Sequence, residues 1–168
     1  MDRNLIVIDN FLDDPDGVRK VALTLKYNHI QKEVPGIRSD IKLRGDLEKE
    51  ITDKLKIVFA CNQIVWETHR ADSFFFQSCK EGTKTWCHTD NQDWTAVLYL
   101  TPNALVESGT GIFHDVNGEY KMNIGVGNIY NRLVAFRGNV LYHRSMLPGF
   151  GTTLETSRLT QTFFFSIK

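Results

Sequence analysis

The chain has 168 residues with 20 basic and 20 acidic side chains, enough for one domain that buries its apolar surface without staples. That balance gives no reason to expect nucleic acid or an anionic membrane as a partner. No apolar run is long enough to span a bilayer, and the opening MDRNLIVIDN is too polar and short for a signal peptide.

Asn4 to Asp9 (NLIVID) reads as a short strand. Asp13 or Asp14 then offers a helix cap, with Pro15 in the first turn and Asp16 near the positive end. Val18, Val21, Ala22 and Leu25 recur at helical spacing and predict one buried stripe. HIQKEVPGIRSDIKLRG (residues 29–45) reads as a loop broken at Pro35-Gly36, and its PGIRSD part (Pro35 to Asp40) is long enough to fold over a barrel mouth. A second helix is predicted over roughly Asp46 to Ala60, with Leu47, Ile51, Leu55 and Val58 on one face.

After Cys61 the texture changes. IVWETHRADSFFFQSCK, DWTAVLYLT, GTGIFHDV, YKMNIGVG, RLVAFRGNVLYH and SRLTQTFFFSI are rich in β-branched and aromatic residues, separated by signals such as Asn117-Gly118 and Pro148-Gly149. This rhythm predicts a sandwich or barrel with two helices ahead of it, in a single domain over 1–168: helical support over 10–62 and a β core over 63–168. Cys61, Cys79 and Cys87 form no CxxC pair, which predicts free thiols in a reducing, cytoplasmic setting.

The chemistry gathers in TKTWCHTDNQDWTAVLYL, Thr83 to Leu100. In extended chain, residues i and i+2 point the same way, so His88 and Asp90 can aim an imidazole and a carboxylate at one point. That is two thirds of a 2-His-1-carboxylate triad, which holds Fe(II) on one face and leaves other positions open. The pair alone is equally a strand-end hydrogen-bonding arrangement. His143 follows two strand-like runs and a Gly138-Asn139 turn. Arg158 enters the most apolar strand of the chain, where an unpaired guanidinium would be costly and a carboxylate is its natural partner. Thr160 shares its face; the plainer alternative pairs Arg158 with Glu155 at a frayed end.

His88-x-Asp90, the distal His143 and Arg158 in SRLTQTFFF together resemble the Fe(II)/2-oxoglutarate-dependent oxygenases, in their prolyl-hydroxylase-like branch. VLYLTPN (Val97 to Asn103), GTGIF (Gly109 to Phe113) and NRLVAFRGNVLYH match in order, so the resemblance runs from about Phe74 to Phe165. It implies a double-stranded β-helix (jelly roll) with the N-terminal helices packed on its larger sheet. His88, Asp90 and His143 would hold Fe(II), and Arg158 would pair with the C5 carboxylate of 2-oxoglutarate. Tyr99 and Thr160 would be further donors, although Tyr99 could equally be a cross-strand core tyrosine. The implied reaction uses O2, releases succinate and CO2, and hydroxylates an unactivated C–H bond of a small-molecule, amino-acid or peptidyl substrate. The interval from His143 to Arg158 is longer than in many relatives, and MLPGFGTTLE (Met146 to Glu155) reads as an inserted turn.

Other residues carry weaker readings. Trp86 could line a substrate pocket or cover the barrel mouth; Arg38, in the 29–45 loop, is a candidate substrate contact. Asn131 and Arg132 begin a strand and are candidates to face the cavity. His114 and Asp115 are adjacent, point to opposite faces and read as a hairpin end. His29 and His69 read as surface residues, and alternation turns Cys87 away from the iron. Two rival functions use the same residues: a cupin-like binding module, or a hydrolase holding Zn(II) with the His/His/Asp set.

Overall fold

The computed structural model describes residues 4–31, 34–67 and 73–168. Strand β1 (Leu5–Ile8) is followed by helix α1 (Pro15–Thr24), strands β2 (Tyr27–His29) and β3 (Ile37–Lys42), and helix α2 (Asp46–Phe59). The remaining strands are β4 (Ile64–Trp66), β5 (Phe75–Cys79), β6 (Trp94–Tyr99), β7 (Thr110–Val116), β8 (Glu119–Val126), β9 (Leu133–Arg137), β10 (Tyr142–Ser145) and β11 (Arg158–Ile167), with a short 3-10 turn at Val106–Ser108. The protein is thus mainly β with two helices among the described residues.

Every strand pairing is antiparallel. The large sheet runs β1-β9-β6-β11-β5-β3-β2, with β4 also on β11; the small sheet runs β10-β7-β8. Two antiparallel sheets of this kind are consistent with a jelly-roll sandwich.

Period-two alternation divides the large sheet into two faces. On β11, Leu159, Phe163 and Phe165 enter a core shared with Leu98, Leu133, Ala135 and the helix residues Leu47, Ile51 and Leu55. Burial of each phenylalanine there contributes about 1.5–3 kcal/mol, and edge-on rings such as Phe74–Phe163 (5.3 Å) and Phe59–Trp94 (4.5 Å) interlock it. The other face of β11 carries Arg158, Thr160, Thr162 and Phe164, all lining one cavity.

The helix signals have physical counterparts. Asp14 caps α1 by accepting from Gly17 N at 2.9 Å, and Pro15 occupies the first turn. Of the expected stripe, Ala22 is buried and Val18 and Leu25 are partly so, but Val21 is 39% exposed. On α2, Leu47, Ile51 and Leu55 are buried while Val58 is only partly covered.

The expected loop at 29–45 is corrected by β2 and β3. Arg38 is the cross-strand partner of both His29 in β2 and Gln77 in β5. Only Ile37 and Ile41 of IRSDIK are apolar, and Arg38, the one residue of the strand that lines the cavity, is buried. The ladder edge offered by β5, not side-chain hydrophobicity, makes it a strand.

Candidate metal centre

His88 and His143 come together through the backbone. They form an isolated antiparallel bridge, His88 N donating to His143 O (3.2 Å) and His143 N to His88 O (2.9 Å). Asp90 lies in no strand, and its N–H donates to Gly138 O at 2.8 Å. The side chains converge: His88 Nε2 is 3.7 Å from Asp90 Oδ1 and His143 Nε2 is 3.3 Å from Asp90 Oδ2. One ligand atom from each residue lies within 4.8 Å of the other two, the spacing of a metal-binding triad.

The histidine tautomers follow from their neighbours. Nδ1 of His88 faces Trp86 O at 3.0 Å and Nδ1 of His143 faces Leu141 O at 2.9 Å. A carbonyl only accepts, so each Nδ1 carries a proton, and Nε2 is the nitrogen that each ring turns toward Asp90. Burial pushes the His88 imidazole below its ordinary pKa, and His143 beside it adds to that. Burial works to raise the Asp90 carboxyl, but contact with His143 and the Thr95 hydroxyl outweighs it and leaves the pKa below the usual value. Two imidazole nitrogens and a carboxylate oxygen aimed at one point are a donor set that a metal cation between them would satisfy.

The triad opens into a cavity of about 800 Å³. Arg158 is 6% exposed at the start of β11 and lines this cavity. Its Nε donates to Ser108 O at 2.9 Å and its guanidinium lies 5.6 Å from the Tyr99 ring centroid. No carboxylate among the described residues pairs with it, Glu155 included. With Nε committed, the two terminal nitrogens form its remaining fork. Thr160 and Thr162 line the same cavity, and their buried hydroxyls have no hydrogen-bond partner among the described residues. These two unpartnered hydroxyls lie on the strand face that Arg158 heads, and a bound ligand with acceptor oxygens would satisfy donors of this kind.

The remaining candidates divide. Trp86, 39% exposed, and Arg38, 2% exposed, both line the cavity; Arg38 Nη1 donates to Gln31 Oε1 at 3.3 Å. Tyr99 is fully buried behind Arg158 and does not line the cavity. Its hydroxyl pairs with Thr110 Oγ1 at 2.7 Å, and burial pushes its pKa up. Arg132 is a correction: it lies outside the cavity lining, holding Asp9 with Nε and Nη2 and Gly127 O with Nη1. Its neighbour Asn131 is likewise turned away, its amide bridging Leu12 N (2.8 Å) and Leu12 O (3.0 Å). Both anchor the N-terminal segment.

His114 sits exposed on β7 beside the Asn117-Gly118 turn, where Asp115 accepts from Gly118 N at 2.7 Å. His29, on β2, is half-buried rather than at the surface, with its ring edge-on to Phe75 at 5.5 Å. His69 lies outside the described residues. Cavity residues missed in the sequence include Gln77, Thr162 and Thr95, whose hydroxyl donates to Asp90 Oδ2. Strand alternation around Arg158 pointed to Thr162; the other two carry no local signal.

No family model matches the chain, and no curated protein matches it. Solved structures do. A prolyl hydroxylase from Trichoplax adhaerens, in complex with a hypoxia inducible factor oxygen degradation domain peptide fragment, superposes with a TM-score of 0.59 at 16% identity, over 96% of this chain and 83% of that one. A Pseudomonas putida prolyl-4-hydroxylase gives a TM-score of 0.56 at 16% identity, over 98% and 93%. A prolyl 4-hydroxylase from Phytophthora capsici gives 0.54 at 16% identity, over 99% of this chain and 59% of that one. At this identity the likeness is one of fold.

Proposed function

We propose that the protein is a non-haem Fe(II)- and 2-oxoglutarate-dependent oxygenase that hydroxylates an unactivated C–H bond of a small-molecule, amino-acid or peptidyl substrate. One observation carries the reading: a His88–Asp90–His143 triad and a buried guanidinium without an acidic partner open into the same cavity. Two imidazole nitrogens and one carboxylate oxygen suit ferrous iron and leave positions free for further ligands. A zinc hydrolase or a plain binding module would have no use for Arg158 with two unpartnered hydroxyls on its strand.

When bound, iron and 2-oxoglutarate would supply the oxidation: the keto acid leaves as succinate and CO2, and one atom of O2 enters the substrate. The chain's own residues bind and orient. The terminal nitrogens of Arg158 would grip the distal carboxylate of the diacid bidentately, with Thr160 as a further donor on the same strand face. Val97, Phe136 and Phe164 supply apolar lining to the cavity, which would help to exclude water when it is filled. Trp86 and Arg38 line the part of the cavity assigned to substrate. Tyr99 backs Arg158 instead of touching the diacid. The fold reading that goes with this is one domain over 1–168, with a double-stranded β-helix over 63–168 and the helices of 10–62 supporting its larger sheet. A peptidyl substrate is favoured by the Trichoplax adhaerens neighbour, which was solved with a peptide.

The test is turnover. Protein supplied with Fe(II), 2-oxoglutarate and O2 should convert the keto acid to succinate slowly by itself and faster with pools that contain the substrate, and His143→Gln should abolish both. Failure of the wild-type protein to form succinate under any of these conditions would overturn the assignment.

A further inference from the structure

We propose that Thr95 is a positioning residue for metal binding, holding Asp90 as a one-oxygen ligand, and that position 138 is glycine to leave room for that contact. The inference rests on the triad being a metal centre, and not on which metal or cosubstrate it takes.

The three ligands are unequally supported. His88 and His143 register each other through paired backbone hydrogen bonds, whereas Asp90 sits on irregular backbone held by one N–H to Gly138 O. Its carboxylate is tied instead by the Thr95 hydroxyl, which donates to Oδ2. Thr95 is well placed for this. It is 3% exposed on β6, a strand paired on both sides, with Phe136 across one ladder and Phe164 across the other. A β-branched side chain in such a strand has little rotamer freedom, so its hydroxyl is a fixed reference point for a ligand whose own backbone is not.

Gly138 completes the device. Its N–H donates to Asp93 O at 3.0 Å and its carbonyl receives the Asp90 N–H. A β-carbon here would fall on Thr95 Oγ1 and would meet Gln92 O at 3.0 Å and the Asp90 β-carbon at 3.2 Å. The backbone at 138 needs no left-handed conformation, so the requirement is for space, at the atom that orients the carboxylate.

The chemistry explains why orientation matters. A carboxylate can bind a metal through one oxygen or both, and a second bound oxygen would consume a position that a facial triad leaves open. Engaging Oδ2 with a hydroxyl favours the one-oxygen mode. Partners of this kind typically change metal affinity 10–100-fold.

The experiment titrates metal-free protein with Co(II) and reads the visible absorbance, with no turnover required. Thr95→Val should weaken binding about 10–100-fold without lowering the melting temperature, and Thr95→Ser should bind as wild type does. Gly138→Ala should weaken binding in the wild-type background and weaken it less in Thr95→Ala, where the nearest of the three atoms it meets is gone and only the looser contacts with Gln92 and Asp90 remain. Wild-type affinity in Thr95→Val, or a Gly138→Ala loss as large in Thr95→Ala as in the wild-type background, would overturn the proposal. A wild-type protein that binds no Co(II) would overturn the metal centre itself and the proposal with it.

Discussion

His88 and His143, brought together from distant parts of the chain, exchange both of their backbone hydrogen bonds (3.2 and 2.9 Å). The two imidazoles are therefore placed side by side, ring centroids 4.5 Å apart, by main-chain pairing and not by their own side-chain contacts. Removing an imidazole should leave that register intact. His88→Gln and His143→Gln are expected to melt cooperatively near the wild-type temperature yet to lose Co(II) or Mn(II) binding, as followed by absorbance or by the free-Mn(II) signal. Unchanged metal affinity in either variant would remove that histidine from the ligand set.

Arg158 should separate cosubstrate binding from metal binding. Its fork offers two charge-assisted hydrogen bonds, and hydrogen bonds to charged groups are worth about 1.5–3 kcal/mol, roughly 10–100-fold in affinity. Arg158→Lys keeps the charge but loses the planar fork. It should raise the dissociation constant for 2-oxoglutarate, measured calorimetrically on Mn(II)-loaded protein, while Mn(II) affinity stays as in wild type. Arg132→Ala is the control: its guanidinium serves Asp9 and Gly127 outside the cavity, so cosubstrate binding should not change.

Cys79 reports on the same cavity. It is buried on β5, cross-strand from Arg158, and burial raises its thiol pKa while the Arg158 charge opposes that only in part. Because the folded value lies above the unfolded one, the unfolded chain gives up this proton first. The Cys79 contribution to stability is therefore intact below the ordinary thiol range and is lost as pH rises through it toward the folded pKa. Iodoacetamide at pH 8 should label partly exposed Cys61 before Cys79, and saturating 2-oxoglutarate with Mn(II) should slow Cys79 further. Peptide mapping over time checks this; labelling of Cys79 at the rate found in denatured protein would contradict it.

The parts of the site that were legible in the sequence are those where residue type and local alternation both speak. His88 and Asp90 lie two apart, and Arg158 announces itself by being a guanidinium at the head of an apolar strand. What could not be read depends on tertiary placement. IRSDIK reads as loop because its strand character comes from pairing with β5 and only two of its six residues are apolar. Tyr99 reads equally as a ligand donor or a core tyrosine, because nothing local reveals that Thr110, on a strand of the other sheet, is the partner of its hydroxyl. Arg132 is a candidate to face the cavity from its place at a strand start, but its partner Asp9 near the N-terminus draws it elsewhere. Thr95 and Gly138 are ordinary residues in their own segments; only the meeting of β6 with the turn after β9 gives them a role. For the helices, cap and stripe located both elements, while Val21 shows that spacing alone does not decide which apolar side chain is covered.

The most direct measurement is a spectrum. Metal-free protein mixed anaerobically with Fe(II) and 2-oxoglutarate should develop the weak visible charge-transfer band of a ferrous ion chelated by a 2-oxo acid. The band should be absent in His143→Gln and should need higher 2-oxoglutarate in Arg158→Lys. A wild-type mixture that stays colourless at saturating metal and cosubstrate would contradict the convergence of triad and guanidinium on one iron-bound diacid.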